Sequence, residues 1–312
     1  MPYFQSSSKK GFALSIVLWI VAALLFGIAT LATFSKDTIM LSKGLQQKLQ
    51  TQLQVEDIFE SLKFYVMTAH YDNNSLLNSA LNDFKYKFPK KIIVDGRWYA
   101  INKDINISVT DTSGLINVNY SGAKNIAFVL TDKDQRQLRY TIVDSIKDWK
   151  DKDNVVSLNG AENSKYELQK ELNYKIRNNP DIQSVSELRL INGIDAIPET
   201  KWKNLKSKFY YGNGAIVNLA LIDSKYLAYI LNINNIEANA LVDLRKKNLK
   251  KFINSVYKLK TFDDEMMGFY QEREYKIKIV VKLENATSWL TSIIDFDKTE
   301  DHPYTVISYK LL

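Results

Sequence analysis

Six oxygen-bearing side chains crowd one short stretch: Asp148, Asp151, Asp153, Asn154, Glu162 and Asn163, with Trp149 and Gly160 among them. Carboxylates and amide carbonyls on a loop are hard ligands, and such a set suits Ca²⁺. Counted from Asp151 as the first position, Asp153 is third and Glu162 twelfth, as in an EF-hand loop. The fifth and sixth positions are Val155 and Val156. They supply neither a ligand nor the glycine of the sharp turn, so an EF-hand is not expected. The same residues also read as a solvated acidic loop that caps a helix starting near Asn163.

Other chemistry is excluded by composition. The chain of 312 residues has no Cys and only 2 His, His70 and His302, far apart in sequence. That removes cysteine nucleophiles, disulfides, zinc fingers and multi-histidine metal sites, and leaves no Ser-His-Asp arrangement to expect. No nucleophile elbow, P-loop or zinc signature occurs, so an enzyme is not expected. The formal charge is +7, from 42 Lys and Arg against 35 Asp and Glu. The basic residues are mostly Lys interleaved with acids, which describes a wet surface better than a dedicated nucleic-acid face.

The elements that hold the acidic loop begin with the amino terminus. Phe12 to Phe34 carries no charge. As a helix it spans about 35 Å, more than the roughly 30 Å hydrocarbon core of a bilayer. Lys9 and Lys10 lie just before it, which predicts a cytoplasmic amino terminus and an exported remainder. A plain signal anchor fits this hydropathy. An ordinary signal peptide has a shorter apolar region, although Thr30-Leu31-Ala32 is a weak cleavage site. A third reading fits more detail. The leader ends Lys9-Lys10-Gly11 and Phe12 follows at once, which resembles a type IV prepilin leader. Prepilin peptidase would cut between Gly11 and Phe12 and N-methylate Phe12.

From Phe12 to about Ala69 there is no Pro, and past Lys36 the apolar residues Ile39, Leu41, Leu45, Leu49, Leu53, Ile58, Leu62, Tyr65 and Val66 keep a helical spacing. A continuous helix would be a spine of about 87 Å, similar to that of pilins and pseudopilins. Most pilin-like subunits carry Glu at mature position five, and here that position is Ile16. A carboxylate in the bilayer is costly unless it meets a partner, so a subunit with nothing ahead of it can dispense with one. The face holding Leu41, Leu45, Leu49, Leu53 and Ile58 is the expected partner surface.

Beyond the spine, residues 72–90 read as a polar turn and a short helix. Ile92 to Ile101 reads as a hairpin turning at Asp95-Gly96, and Ile105, Ile107 and Val109 extend a sheet. Tyr275 to Leu283 alternates with Lys276, Lys278 and Lys282, a strand with one wet face, and Tyr304 to Tyr309 is the last strand. Between them the chain reads as helices at 121–131, 138–150, 163–177, 184–191, 198–209, 224–232, 235–248 and 253–259. Ile191-Asn192-Gly193-Ile194-Asp195 echoes Ile233-Asn234-Asn235-Ile236-Glu237, the pattern of helix-hairpin-helix or SAM-like units. Such hairpins hold DNA phosphates on backbone amides or simply pack. Only the first copy has the glycine of the phosphate-binding form, so packing is the expectation.

Several motifs in one order resemble the type II secretion system protein K family, the large minor pseudopilins of the general secretion pathway. They are KKGFALSIVLWIVA at 9–22, SGLINVN at 113–119, IKDWKDKDN at 146–154, NGAENSKY at 159–166, SVSELRLINGI at 184–194 and GAIVNLA at 214–220. The stretch after Val217 departs from the family pattern, which has a second Asn and a Thr-Ala-Pro there. The resemblance implies an α+β fold: a spine helix, and a pilin-like antiparallel sheet with a large inserted all-α domain. The expected boundaries are 1–11 for the leader, 12–34 for the transmembrane half-helix, 35–118 for the amphipathic half and first strands, 119–260 for the insertion and 261–312 for the last strands. It implies a single-pass inner-membrane protein, mostly periplasmic, that joins minor pseudopilins I and J at the pseudopilus tip to support export of folded exoproteins. It also implies Ca²⁺ at Asp148, Asp151, Asp153 and Glu162. The alternatives are a minor pilin of a type IV pilus-like filament and a membrane-anchored DNA-binding protein using the hairpin units.

Overall fold

The computed structural model describes residues 9–72, 74–78, 85–168, 181–271, 273–296 and 302–312, with side chains from Leu14 onward. Helix α1 (Lys9–Thr68) is one unbroken element, as the absence of Pro predicts. Its first part is uncharged from Phe12 to Phe34 and exposes large apolar side chains, including Trp19, Leu24, Phe26 and Leu31, and α1 is long and apolar enough to cross a membrane. Its second part is amphipathic and buries Val55, Ile58, Phe59, Leu62 and Tyr65.

Two short strands, β1 (His70–Asp72) and β2 (Ser75–Leu77), follow α1 and pair antiparallel. The short helix expected after residue 72 is therefore not found at 75–77, and residues 79–84 lie outside the described set. Tyr65 accounts for the tight return of the chain, because its hydroxyl donates to the Pro89 carbonyl at 2.8 Å. Strand β3 (Lys91–Ile93) joins β2, not the next strand. The expected hairpin at Asp95-Gly96 is thus corrected. Those residues open β4 (Asp95–Ala100), which pairs with β5 (Ile105–Asp111) across a register shift between Asp95 and Trp98. Gly96 has φ +86, and the Asp95 carboxylate accepts from the Arg97 amide at 3.1 Å. The turn-forming pair makes a bulge here, because β3 is already held by β2 and the Val94 amide donates to the Asn74 carbonyl.

The carboxyl-terminal strands complete the sheet. They are β10 (Glu274–Leu283), β11 (Ala286–Asp295) and β12 (Thr305–Leu311), in the order β12-β11-β10-β5-β4. Helix α1 packs on β10 and β11. Odd-numbered residues of β10 face it: Tyr275, Ile277, Ile279 and Val281 are all buried. Three polar contacts fix the start of docking. Gln47 Nε2 donates to Glu284 Oε2 at 2.5 Å, Lys48 Nζ to the Thr287 carbonyl at 2.8 Å, and Thr51 meets Ser288 at 2.8 Å.

The chain between β5 and β10 is mostly helical. Helices α2 (Gly122–Leu130), α3 (Arg136–Lys150), α4 (Asn163–Leu168), α5 (Glu199–Leu205), α6 (Ser224–Ile230), α7 (Asn235–Lys247) and α8 (Leu249–Tyr257) surround their own apolar core. Short strands stitch it: β6 (Ile116–Asn117) to β7 (Phe209–Tyr210), and β8 (Val217–Asn218) to β9 (Met267–Gly268), both parallel. The expected helix at 184–191 is a 3-10 turn at Glu187–Leu190, and the expected 163–177 helix is described only to Leu168. Gly193, at φ +88, lies where an added Cβ would meet Ile142 at 3.1 Å. Gly193→Ala is expected to lower stability by about 1–3 kcal/mol, read as a lower urea midpoint with an unchanged slope.

Candidate functional site

Three of the four expected Ca²⁺ ligands converge. Asp148 lies in the last turn of α3, Asp151 ends that helix with its amide on the Lys147 carbonyl, and Glu162 immediately precedes α4. One carboxylate oxygen from each lies within 4.8 Å of the others. Asp153 is not in that set. It is exposed, and its carboxylate accepts the Val155 amide at 2.8 Å in a local turn. Asn154 and Asn163 bond each other at 3.2 Å.

The loop 151–162 folds back because Asp148, which is fully buried, accepts the Ser157 amide at 3.1 Å. Gly160 packs against the same carboxylate, and a Cβ there would lie 1.9 Å from Asp148 Oδ2. Only glycine lets the backbone come this close. Trp149 anchors the other side: its Nε1 donates to Glu187 Oε1 at 3.0 Å, and its ring meets Tyr166 edge-to-face at 5.4 Å.

The electrostatics of the cluster ask for a cation. Glu162 is 4% exposed, and neither of its carboxylate oxygens has a hydrogen-bond partner; Asp151 Oδ1 is likewise buried and unpartnered. Burial pushes the Glu162 carboxyl above its ordinary range, and the charges of Asp151 and Asp148 add to this. Asp151 is raised by burial first, then by Asp153 and Asp148. Among the described residues no Lys or Arg pairs with any of the three. Buried carboxylates are normally paired or bound to metal. The donor set, all hard oxygen, therefore fits a Ca²⁺ held by Asp148, Asp151 and Glu162.

The expected partner face divides in two. Leu41, Leu45, Leu49 and Leu53 are exposed by 66%, 63%, 57% and 58%. Ile58 is corrected: it is fully buried in the core between α1 and the sheet, so it serves the protein's own packing. The difference is one of helix face: Thr51, Val55, Ile58 and Leu62 turn to the sheet and are buried, whereas Leu49 and Leu53, in the same docked stretch, turn away from it. Gln47, Lys48 and Thr51, which begin the docking, carried no sequence signal beyond their polarity. Gly11 and Phe12 lie within α1, and nothing is described of Phe12's side chain.

In both hairpins, backbone amides at the turn are taken by side chains of the chain itself. The Gly193 amide donates to Asp195 Oδ1 at 2.8 Å, and that oxygen also takes the Ala196 amide. In the second copy a capping box occupies the helix start: Glu237 N donates to Asn234 Oδ1 at 2.9 Å, and Asn234 N to Glu237 Oε2.

A spine helix, apolar in its first half and docked on an antiparallel sheet in its second, is joined to a helical insertion in one α+β fold. Residues 127–201, which include the acidic loop, match the family model described as type II secretion system (T2SS), protein K. The fold is similar to a chain in the crystal structure of the GspK-GspI-GspJ complex from the enterotoxigenic Escherichia coli type 2 secretion system. The TM-score is 0.55 at 15% identity, covering 88% of this chain and 99% of that one. No curated protein matches the chain in sequence. The resemblance to protein K thus has support from both a sequence segment and the fold.

Proposed function

We propose that the protein is a minor pseudopilin of a type II secretion system. It is anchored by the first half of α1 and works with proteins I and J at the pseudopilus tip. The observation that carries this reading is the exposed stripe Leu41, Leu45, Leu49 and Leu53, which enters the docked half of the same helix on the face turned away from the sheet. Apolar residues at that density on an unbroken helix need lipid or neighbouring helices. The bulk of the inserted helices favours a terminal position over one within a filament, and Ile16 at mature position five agrees with a subunit that has none ahead. Removal of residues 1–11 by prepilin peptidase and N-methylation of Phe12 belong to the same proposal. So does Ca²⁺ at Asp148, Asp151 and Glu162, which ties the end of α3 to the start of α4. In the copy that carries the glycine, the Gly193 amide is taken by Asp195, which weighs against the DNA-binding alternative.

The test is the intact mass of the membrane-extracted chain, from cells with and without active prepilin peptidase. The expected mature start is N-methyl-Phe12, only when the peptidase is active. An uncleaved Met1, or a start near Thr33, would return the chain to a plain anchored or secreted protein.

A further inference from the structure

The sheet face turned away from α1 carries charges the fold does not neutralise. Register places Lys276, Lys278 and Val280 of β10 on that face, with Ser108 and Trp98 beside Lys278, Thr291 and Lys310 across from it, and Trp289 opposite Val280. Trp98 and Trp289 are each 47% exposed and meet edge-to-face over Val280, at 6.4 Å and 83°. From the helical insertion Lys206 comes close enough to repel both β10 lysines. None of Lys206, Lys276, Lys278 and Lys310 forms an ion pair among the described residues.

The acids on the face are already engaged. Asp95 is clamped by Arg97 at 2.6 Å. Glu274 accepts from Thr112 Oγ1 at 2.8 Å and from the Asn213 amide at 2.9 Å. Asp295 has an interaction of its own. Lys276 and Lys278 are half-buried, and burial pushes the Lys276 ammonium down to about 8, with Lys278 and Lys206 adding to it. Half-buried like charges without a counter-charge cost stability that a bound carboxylate would restore.

We propose that this outer face is a docking surface for an acidic segment of a partner protein, its carboxylates taken by Lys206, Lys276 and Lys278 and its apolar side chains by the Trp98–Trp289 pair. Lys276 and Val280 are about 13 Å apart along the strand, so a small anion cannot span from Lys276 to Trp289, whereas a short peptide does. The tryptophans are packed edge-to-face against each other, and among the described residues no Arg stacks on them, which suits an apolar side chain better than stacked bases. The inference stands whether or not the chain works in a pseudopilus.

The test uses the full chain in an uncharged detergent and a fluorescein-labelled decapeptide of glutamate and leucine, followed by anisotropy at low salt. The triple variant K206Q/K276Q/K278Q is expected to bind about tenfold more weakly, while K246Q/K247Q/K250Q, on the turn between α7 and α8, binds as the wild type does. A peptide with serine in place of leucine is expected to bind several-fold more weakly. The triple variant should melt at or above the wild-type temperature, since mutual repulsion is removed, so weaker binding cannot be blamed on misfolding. Unchanged binding by the triple variant overturns the proposal, as does an equal loss in the other lysine variant. Competition by orthophosphate or a thymidine decanucleotide stronger than by unlabelled peptide also overturns it.

Discussion

Replacing Ile58 by Asp is expected to unfold the sheet-bearing half of the protein, whereas Leu45→Asp leaves it folded and abolishes co-purification with protein I. The two residues share one helix and one hydrophobic type. Ile58 is fully buried among Phe59, Leu62, Ile277 and Leu290, so a carboxylate there loses its hydration with no cation beside it. That costs about 4 kcal/mol or more, a large part of a domain's stability. Leu45 is 63% exposed, and a surface change of this kind is worth about 0.5 kcal/mol or less. In a packed helix bundle the same Asp has no water and no partner, so association should fall well over a hundredfold. Circular dichroism melting and pull-down of protein I on the same samples separate the two effects. Retained pull-down by a folded Leu45→Asp protein would reject the stripe as the contact, and a normally folded Ile58→Asp protein would reject the packing.

The second expected result is a reversal of stability order at the acidic site. In chelator, Glu162→Gln should melt higher than the wild type, because it removes a buried charge crowded by two other carboxylates. In excess Ca²⁺ the order should invert, because the variant has given up a carboxylate ligand. A cation at about a hundred times its Kd stabilises the folded state by about 2.7 kcal/mol, which is a few degrees in Tm for a protein of this size. Asp153→Ala should keep the whole Ca²⁺-dependent rise, since Asp153 lies outside the cluster. Gly160→Ala should lose it, since its Cβ would displace the Asp148 carboxylate. An equal rise in the wild type and Glu162→Gln, or none in either, would refute the site.

Much of this protein was determined locally, and local features are legible in sequence. An uncharged run behind Lys9 and Lys10, continued without Pro by an amphipathic stretch, predicts one long helix, and α1 is that helix. The alternation from Tyr275 to Leu283 predicted the strand β10, but on the lysine face expected to be wet Lys276 and Lys278 are half-buried. The helices from α2 to α8 followed from spacing and caps, such as Asn234 with Glu237. The acidic loop was visible as a crowd of oxygen ligands.

Tertiary structure decided what those elements meet. Asp95-Gly96 has the composition of a hairpin turn, but β3 was taken by β2, and the pair became a bulge in β4. Leu53 and Ile58 lie in the same docked stretch of α1, yet only Ile58 is on the face that meets the sheet. Asp153 sits in sequence between Asp151 and Glu162 but turns outward, because its carboxylate closes a local turn while the backbone at Gly160 folds onto Asp148. The unneutralised lysines of β10 became a site only when the insertion brought Lys206 over them. Spacing along a chain sets which face a residue shares; it does not set what will lie across from that face, because that is decided by contacts between residues far apart in sequence.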